Sequence, residues 1–225
     1  MSSQNYIANK KIVFLALGCK VNTYENDALA AIFLNEGATI ANQKDKDVDI
    51  AIINTCSVTQ KADQKSRQHI RKLKTLYPNA VIVVMGCHSQ HSGKEIIERG
   101  EADIVFGVSD RIKIIDAINK LYETGEKTLF LKSHDYIRNN INYEDFNSLP
   151  LISHTRAYVK ISDGCDNFCS YCIIPNTRGK LRSRNKIDIL NEIKALINKG
   201  FKEIVITGLQ KCKPLFFLIY KNQYT

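Results

Sequence analysis

Three apolar runs in this 225-residue chain end alike. Residues 11–17 (KIVFLAL) lead into Gly18-Cys19, residues 49–53 (DIAII) into Cys56, and residues 80–85 (AVIVVM) into Gly86-Cys87. Continuous Val/Ile runs, as opposed to alternating ones, predict strands buried on both faces of a parallel sheet. Helical patterns separate them. Residues 25–35 place Ala28, Leu29, Ile32 and Phe33 at helical spacing, with Gly37 as a stop. Residues 60–76 place Ile70, Leu73 and Leu76 on one side, ended by Pro78. A short helix over 95–99, a fourth strand over 103–106 and a helix over 111–122 complete the series. Strands alternating with helices predict an α/β domain over 1–122, an open parallel sheet with flanking helices. The carboxyl ends of such strands share one edge, where ligands bind. Cys19, Cys56 and Cys87 are therefore expected to converge there, with Gly18 and Gly86 allowing a bulky ligand close to the backbone. One buried cysteine is by itself only a small hydrophobe. Three at equivalent positions favour an iron–sulfur cluster with three ligands and one open iron.

Residues 123–155 carry no strong period beyond a short strand at 128–132, and Asn139, Asn140, Asn142, Asn147, Ser148 and Pro150 mark a polar linker. A second unit spans 156–208: a strand at 157–161, a helix at 187–199 closed by Gly200, and a strand at 203–207, one βαβ unit. Directly after its first strand comes Cys165-x3-Cys169-x2-Cys172. Electron-carrying ferredoxins use four cysteines per cluster. Three leave one iron free, as catalytic metal sites do, and an open iron chelates the amino and carboxylate groups of S-adenosylmethionine. Zinc is the competing reading, but it takes paired CxxC ligands and no second pair exists. His88 and His91 stand beside Cys87 and are expected as surface loop residues, not ligands. Cys212 is assigned no role.

Charge divides the chain. Residues 1–150 hold 19 basic and 18 acidic side chains, whereas residues 151–225 hold 13 and 5. A polyanionic partner is expected near the second unit, with nucleic acid ahead of a membrane surface. Arg178, Lys180, Arg182, Arg184 and Lys186 follow the cysteine loop, with Phe168 and Tyr171 close by, a pattern suited to phosphate contact and base or adenine stacking. Asp63, Lys65, Arg67, Arg71 and Lys72 are expected to form a solvated helix face. The apolar stretch at 215–219 is far short of a bilayer span, and residues 1–10 lack a signal-peptide core. A cytoplasmic, reducing location is expected, which favours metal binding or catalysis over disulfides for the seven cysteines.

Four segments together resemble the radical S-adenosylmethionine methylthiotransferases: LGCKVNTYEND (17–27), NTCSVTQKADQKSRQHIRKL (54–73), MGCHSQ (85–90) and DGCDNFCSYCIIPNTRGKLRSR (163–184). The GCKVN wording resembles the threonylcarbamoyladenosine tRNA branch more than the isopentenyladenosine tRNA or ribosomal-protein branches. The resemblance implies two [4Fe-4S] clusters. Cys165, Cys169 and Cys172, with Tyr171 beside them, match the S-adenosylmethionine cluster site; Cys19, Cys56 and Cys87 match an auxiliary cluster that carries sulfur. It implies methylthio transfer to C2 of N6-threonylcarbamoyladenosine next to the tRNA anticodon. Its implied partners are the anticodon stem-loop, an electron donor such as flavodoxin or ferredoxin, and a sulfur donor, with no membrane. The family resemblance stops near Thr207-Gly208, and residues 209–225 read as an aberrant tail. The second unit would then be the first βαβ unit of an incomplete radical SAM (β/α) barrel, and the chain alone is expected to have little activity. The competing classes are a two-cluster electron-transfer or RNA-binding module without catalysis, and a zinc-binding nucleic-acid protein.

Overall fold

The structure, a computed structural model, describes residues 5–151 and 155–210. Cys212 and the tail from residue 211 lie outside the described residues. The described residues divide into two compact units, 5–133 with 146–151, and 134–145 with 155–210.

The first unit runs β1 (Lys11–Ala16), α1 (Lys20–Asn35), β2 (Thr39–Ile40), β3 (Ile50–Thr55), α2 (Gln60–Leu76), β4 (Val81–Gly86), α3 (Cys87–Glu98), β5 (Ile104–Phe106), a 3-10 turn (Arg111–Lys113), α4 (Ile114–Thr124) and β6 (Thr128–Phe130). The six strands are all parallel, in the order β2-β1-β3-β4-β5-β6. Every residue of β3 is buried, as its unbroken apolar reading requires. The pleat sends Ala51, Ile53, Ile82 and Val84 to one face, where they pack with Ile70, Leu73 and Tyr77 from α2 and its end, and with Ile96 of α3. On the other face Phe14 meets Phe33 of α1 edge-on, ring centres 5.8 Å apart. Helices thus cover both faces.

Two helices begin earlier than their apolar periodicity suggests. α1 starts at Lys20 and α3 at Cys87, because the first turns of both are polar and yet buried. The α/β reading of the sheet agrees with this architecture, which adds the two-residue β2 and the edge strand β6. The linker expected over 123–155 is corrected on this point. β6 pairs with β5 in the first unit, and α5 (His134–Asn139) packs on a helix of the second. Short segments with weak periodicity gain their structure here from the neighbours they pair with.

The second unit continues with β7 (Ala157–Lys160), β8 (Ser162–Asp163), α6 (Ile174–Arg178), β9 (Arg182–Ser183), α7 (Lys186–Asn198) and β10 (Ile204–Thr207). β7 and β10 pair in parallel and α7 packs on β7, the βαβ arrangement; β8 and β9 form a small antiparallel pair. The Asn185 side chain caps α7 by accepting from the Ile187 N–H at 2.8 Å. Among the described residues no helix is long and apolar enough to cross a membrane.

Replacing Ile53 by Ala is expected to lower unfolding free energy by about 2–5 kcal/mol, whereas half-exposed Leu76→Ala costs far less. Denaturant titration of both variants checks this. A second expectation concerns Asp27 on α1, whose Oδ2 is buried without a hydrogen-bond partner among the described residues. Desolvation pushes its carboxyl from 3.8 up to about 7. The folded state therefore retains a proton that the unfolded chain releases. Its stabilising contribution is complete below about pH 4 and is lost as pH rises through 7. Asp27→Asn should raise stability at pH 8, by at most about 4 kcal/mol, and the gain should vanish towards pH 4.

Candidate functional site

The order β2-β1-β3 reverses the direction of strand addition between β1 and β3, so the topological switch point falls between them. Loops leave the carboxyl ends of these two strands in opposite directions, opening a crevice. Cys19 and Cys56 stand at its two lips: Cys19 caps the start of α1, and Cys56 follows β3 directly. A cavity of 430 Å³ opens here, lined by Gly18, Cys56, Lys61, Lys65 and His69 among others. Cys87 follows the adjacent strand, in register. Thr55 stands opposite Gly86, so Cys56 and Cys87 are the first residues after neighbouring strands.

Hydrogen bonds fix this edge. Asn22 on α1 donates through Nδ2 to the Leu17 carbonyl at 2.7 Å and the Thr55 carbonyl at 3.0 Å, joining the ends of β1 and β3. Thr55 Oγ1 donates to the Met85 carbonyl at 2.7 Å, joining β3 to β4. Ser66 on α2 accepts from the Cys56 N–H at 3.1 Å and donates to the Cys56 carbonyl at 2.8 Å. Behind α1, buried Glu25 pairs with buried Arg111 at 2.5 Å and accepts from Asn54 Nδ2 at 3.1 Å. Gly18 (φ +92°) is required by space as well as by conformation, since a Cβ there would lie 2.5 Å from Cys56 Sγ. A Cβ at Gly86 (φ +107°) would lie 2.4 Å from Asn54 Oδ1.

His88 departs from expectation. It is not a surface residue but 1% exposed, with Nδ1 2.6 Å from Asp63 Oδ1. The partial correction extends to Asp63, expected on a solvated face: it also pairs with Arg67 at 3.0 Å. Lys65, Arg67, Arg71 and Lys72 are exposed as expected, and so is His91.

In the second unit the Cys165–Cys172 loop leaves β8 and enters α6. Cys165 is buried, Cys169 exposed and Cys172 half-buried. The Cys165 N–H donates to the Gly179 carbonyl and the Asn167 N–H to Cys165 Sγ, at 3.0 and 3.4 Å. Gly164 (φ +73°) leaves no room for a side chain, its Cβ position being 1.9 Å from the Lys180 carbonyl. Next to it the buried Asp163 carboxylate gathers Lys160 at 2.7 Å, Arg178 at 3.1 Å and Arg182 at 3.7 Å. Arg184 is held by Asp145 and Glu192. The expected phosphate-binding cluster is therefore corrected: Arg178, Arg182 and Arg184 are interior ion-pair partners, since a buried guanidinium demands a counter-charge. Lys180 and Lys186 remain exposed, as do Phe168 (71%) and Tyr171 (88%).

All six described cysteines are free thiols. No three His, Cys, Asp or Glu side chains among the described residues stand together at single-ion distance. A cubane differs from a single ion, because each thiolate grips a different iron and the ligands stand farther apart. The residues suit that group: soft thiolates only, at a glycine-walled crevice, with two thiolate triplets on separate units.

Residues 159–210 match the Radical SAM superfamily and residues 11–107 match the uncharacterized protein family UPF0004. A radical S-adenosylmethionine methyltransferase, TsrM from Kitasatospora setae, shares the fold with TM-score 0.57 and 12% identity, over 90% of this chain and 48% of that one. Threonylcarbamoyladenosine tRNA methylthiotransferase MtaB of Bacillus subtilis is 38% identical over 88% of this chain and 43% of its own length. Ribosomal protein uS12 methylthiotransferase RimO of Clostridium tetani is 39% identical over 86% of this chain and 43% of its own. Over most of its own length the chain is similar to radical S-adenosylmethionine methylthiotransferases. It spans less than half the length of these relatives.

Gly18→Ala is expected to destabilise the first unit by more than Gly100→Ala, which meets no atom within 4 Å and costs only about 1–2 kcal/mol of left-handed strain. It should also expose Cys56, read as faster alkylation of that thiol in peptide mapping.

Proposed function

We propose that this chain serves tRNA modification, as the part of a radical S-adenosylmethionine enzyme that places a methylthio group on C2 of N6-threonylcarbamoyladenosine beside the anticodon, with little activity from residues 1–225 alone. In this reading residues 156–208 hold one [4Fe-4S] cluster on Cys165, Cys169 and Cys172, and residues 1–122 hold a second on Cys19, Cys56 and Cys87. The observation that carries it is the pairing of two features in one chain. One is a parallel sheet whose switch point is edged by cysteines; the other is a three-thiol loop after the first strands of a βαβ unit. MtaB, named for its action on threonylcarbamoyladenosine tRNA, supports the choice of tRNA, and the basic bias of residues 151–225 agrees with a polyanionic partner.

Such a cluster with S-adenosylmethionine supplies, when bound, a one-electron cleavage that gives a carbon radical able to take an aromatic hydrogen. The chain's own residues bind and orient. Asp163, neutralised by three cations, holds the start of the cysteine loop, and the Gly179 carbonyl fixes Cys165. Phe168 and Tyr171 offer exposed aromatic faces for a splayed base or the adenine of S-adenosylmethionine, and Lys180 and Lys186 offer charge for phosphates. Flavodoxin or ferredoxin as electron donor and a separate sulfur donor are the partners this chemistry needs.

Two measurements test the reading. In reduced, reconstituted protein, S-adenosylmethionine should alter the electron paramagnetic resonance signal, and Cys169→Ala should abolish that response. No response in the parent would leave a two-cluster module without catalysis. Second, an anticodon stem-loop carrying threonylcarbamoyladenosine should bind more tightly than a uS12 loop peptide. Phe168→Ala and Tyr171→Ala should each weaken RNA binding by about 1–3 kcal/mol, the usual range for a stacked base. Preference for the peptide would overturn the tRNA assignment.

A further inference from the structure

Lys61, Lys65 and His69 recur every fourth residue along α2, so they share one face of the helix. All three line the 430 Å³ cavity that Cys56 also lines. No carboxylate among the described residues lines it, and Ala16, Leu17 and Ala62 make part of its wall apolar. The other faces of α2 are different. Arg67 pairs with Asp63 at 3.0 Å, Arg71 with Glu101 at 2.9 Å and Lys74 with Asp103 at 3.6 Å. Lys61 and Lys65 have no ion-pair partner among the described residues. They are also like charges one helical turn apart, an arrangement that destabilises a helix. The start of α2, capped by Thr59 beside the same cavity, adds partial positive charge. His69 Nδ1 donates to the Lys65 carbonyl at 2.8 Å, which leaves the two ammonium groups as the fixed charges of this wall. Positive charge left uncompensated around a recess that holds a thiol calls for an anion there. An iron core held by three thiolates is a net anion, and reduction adds one more negative charge. The partly apolar wall suits such a soft sulfide-rich group better than a strongly hydrated phosphate.

We propose that Lys61 and Lys65, on the wall of the cavity lined by Cys56, are the counter-charges of the cluster on the first unit and raise its reduction potential. The proposal rests on the reading that Cys19, Cys56 and Cys87 hold a cluster. Net charge around a cluster is one of the levers that set its potential. A nearby cation favours the reduced form, which carries the extra negative charge, over the oxidised one. Both lysines touch solvent, so salt screens the effect. Neither lysine ligates iron; they act on the cluster through the field alone.

The test isolates one cluster in the full chain by changing Cys165, Cys169 and Cys172 together to Ala. The reconstituted parent is titrated anaerobically with reductant, and its midpoint potential is read by electron paramagnetic resonance. Lys61→Gln and Lys65→Gln should each shift the midpoint to a more negative value, and the double variant should shift it further. Lys65→Arg should keep the parent value, and 1 M salt should shrink the difference between parent and double variant. Lys120→Gln, an exposed lysine late in α4, is the control and should leave the midpoint unchanged. A double variant with the parent's midpoint, or a shift matched by Lys120→Gln, overturns the role of the two lysines and leaves the thiol triplet standing. An unchanged midpoint together with weaker binding of the anticodon stem-loop overturns it too, and makes this face an RNA contact. Failure of the parent to take up iron as a cluster overturns both readings.

Discussion

The parallel register of β1, β3 and β4 is the constraint on which the first unit depends. Ala16 stands opposite Asn54, and Asn54 opposite Met85, so the three strands end level. Each then turns into a helix within a few residues, and each turn carries a cysteine. A slip of one residue would turn every strand side chain to the wrong face of a sheet covered on both. It would also break the bonds that Asn22 and Thr55 make across the strand ends. Core packing and site geometry are therefore specified by the same pairing.

The two units secure their cysteines by different physics. At the sheet edge the work is done by neutral hydrogen bonds and by glycines that admit close approach, with the Glu25–Arg111 pair behind. In the second unit, ion pairs dominate. One carboxylate, Asp163, faces three cations inside the fold, and Arg184 faces two carboxylates nearby. Buried charges of this kind add little net stability, yet removing one partner strands the others. The loop that starts at Gly164 is thereby tied to α6 and β9 on both flanks.

Much of the fold was legible in the sequence because β1, β3 and β4 are long, unbroken apolar runs. The βαβ unit was legible for the same reason, from the apolar stripe of α7 and its two strands. β2 and β6 were harder, being only two and three residues long and dependent on a neighbour for pairing. The polar starts of α1 and α3 were invisible to periodicity: Asn22, Glu25, Ser89 and His88 are buried, and burial of polar groups is dictated by partners distant in sequence. The same blindness made Arg178, Arg182 and Arg184 read as a surface patch. Their counter-charges, Asp163, Asp145 and Glu192, are spread over some fifty residues and only the fold brings them together. A cue was present for His88: a histidine directly after a strand-end cysteine, with Asp63 a few residues beyond another.

Mössbauer spectroscopy with iron and sulfide analysis of anaerobically reconstituted protein tests the two thiolate triplets most directly. Two four-iron clusters predict about eight irons per chain, falling by about half when Cys19, Cys56 and Cys87 are all replaced by Ala. Zinc in place of iron, or an iron content indifferent to that replacement, would contradict that prediction.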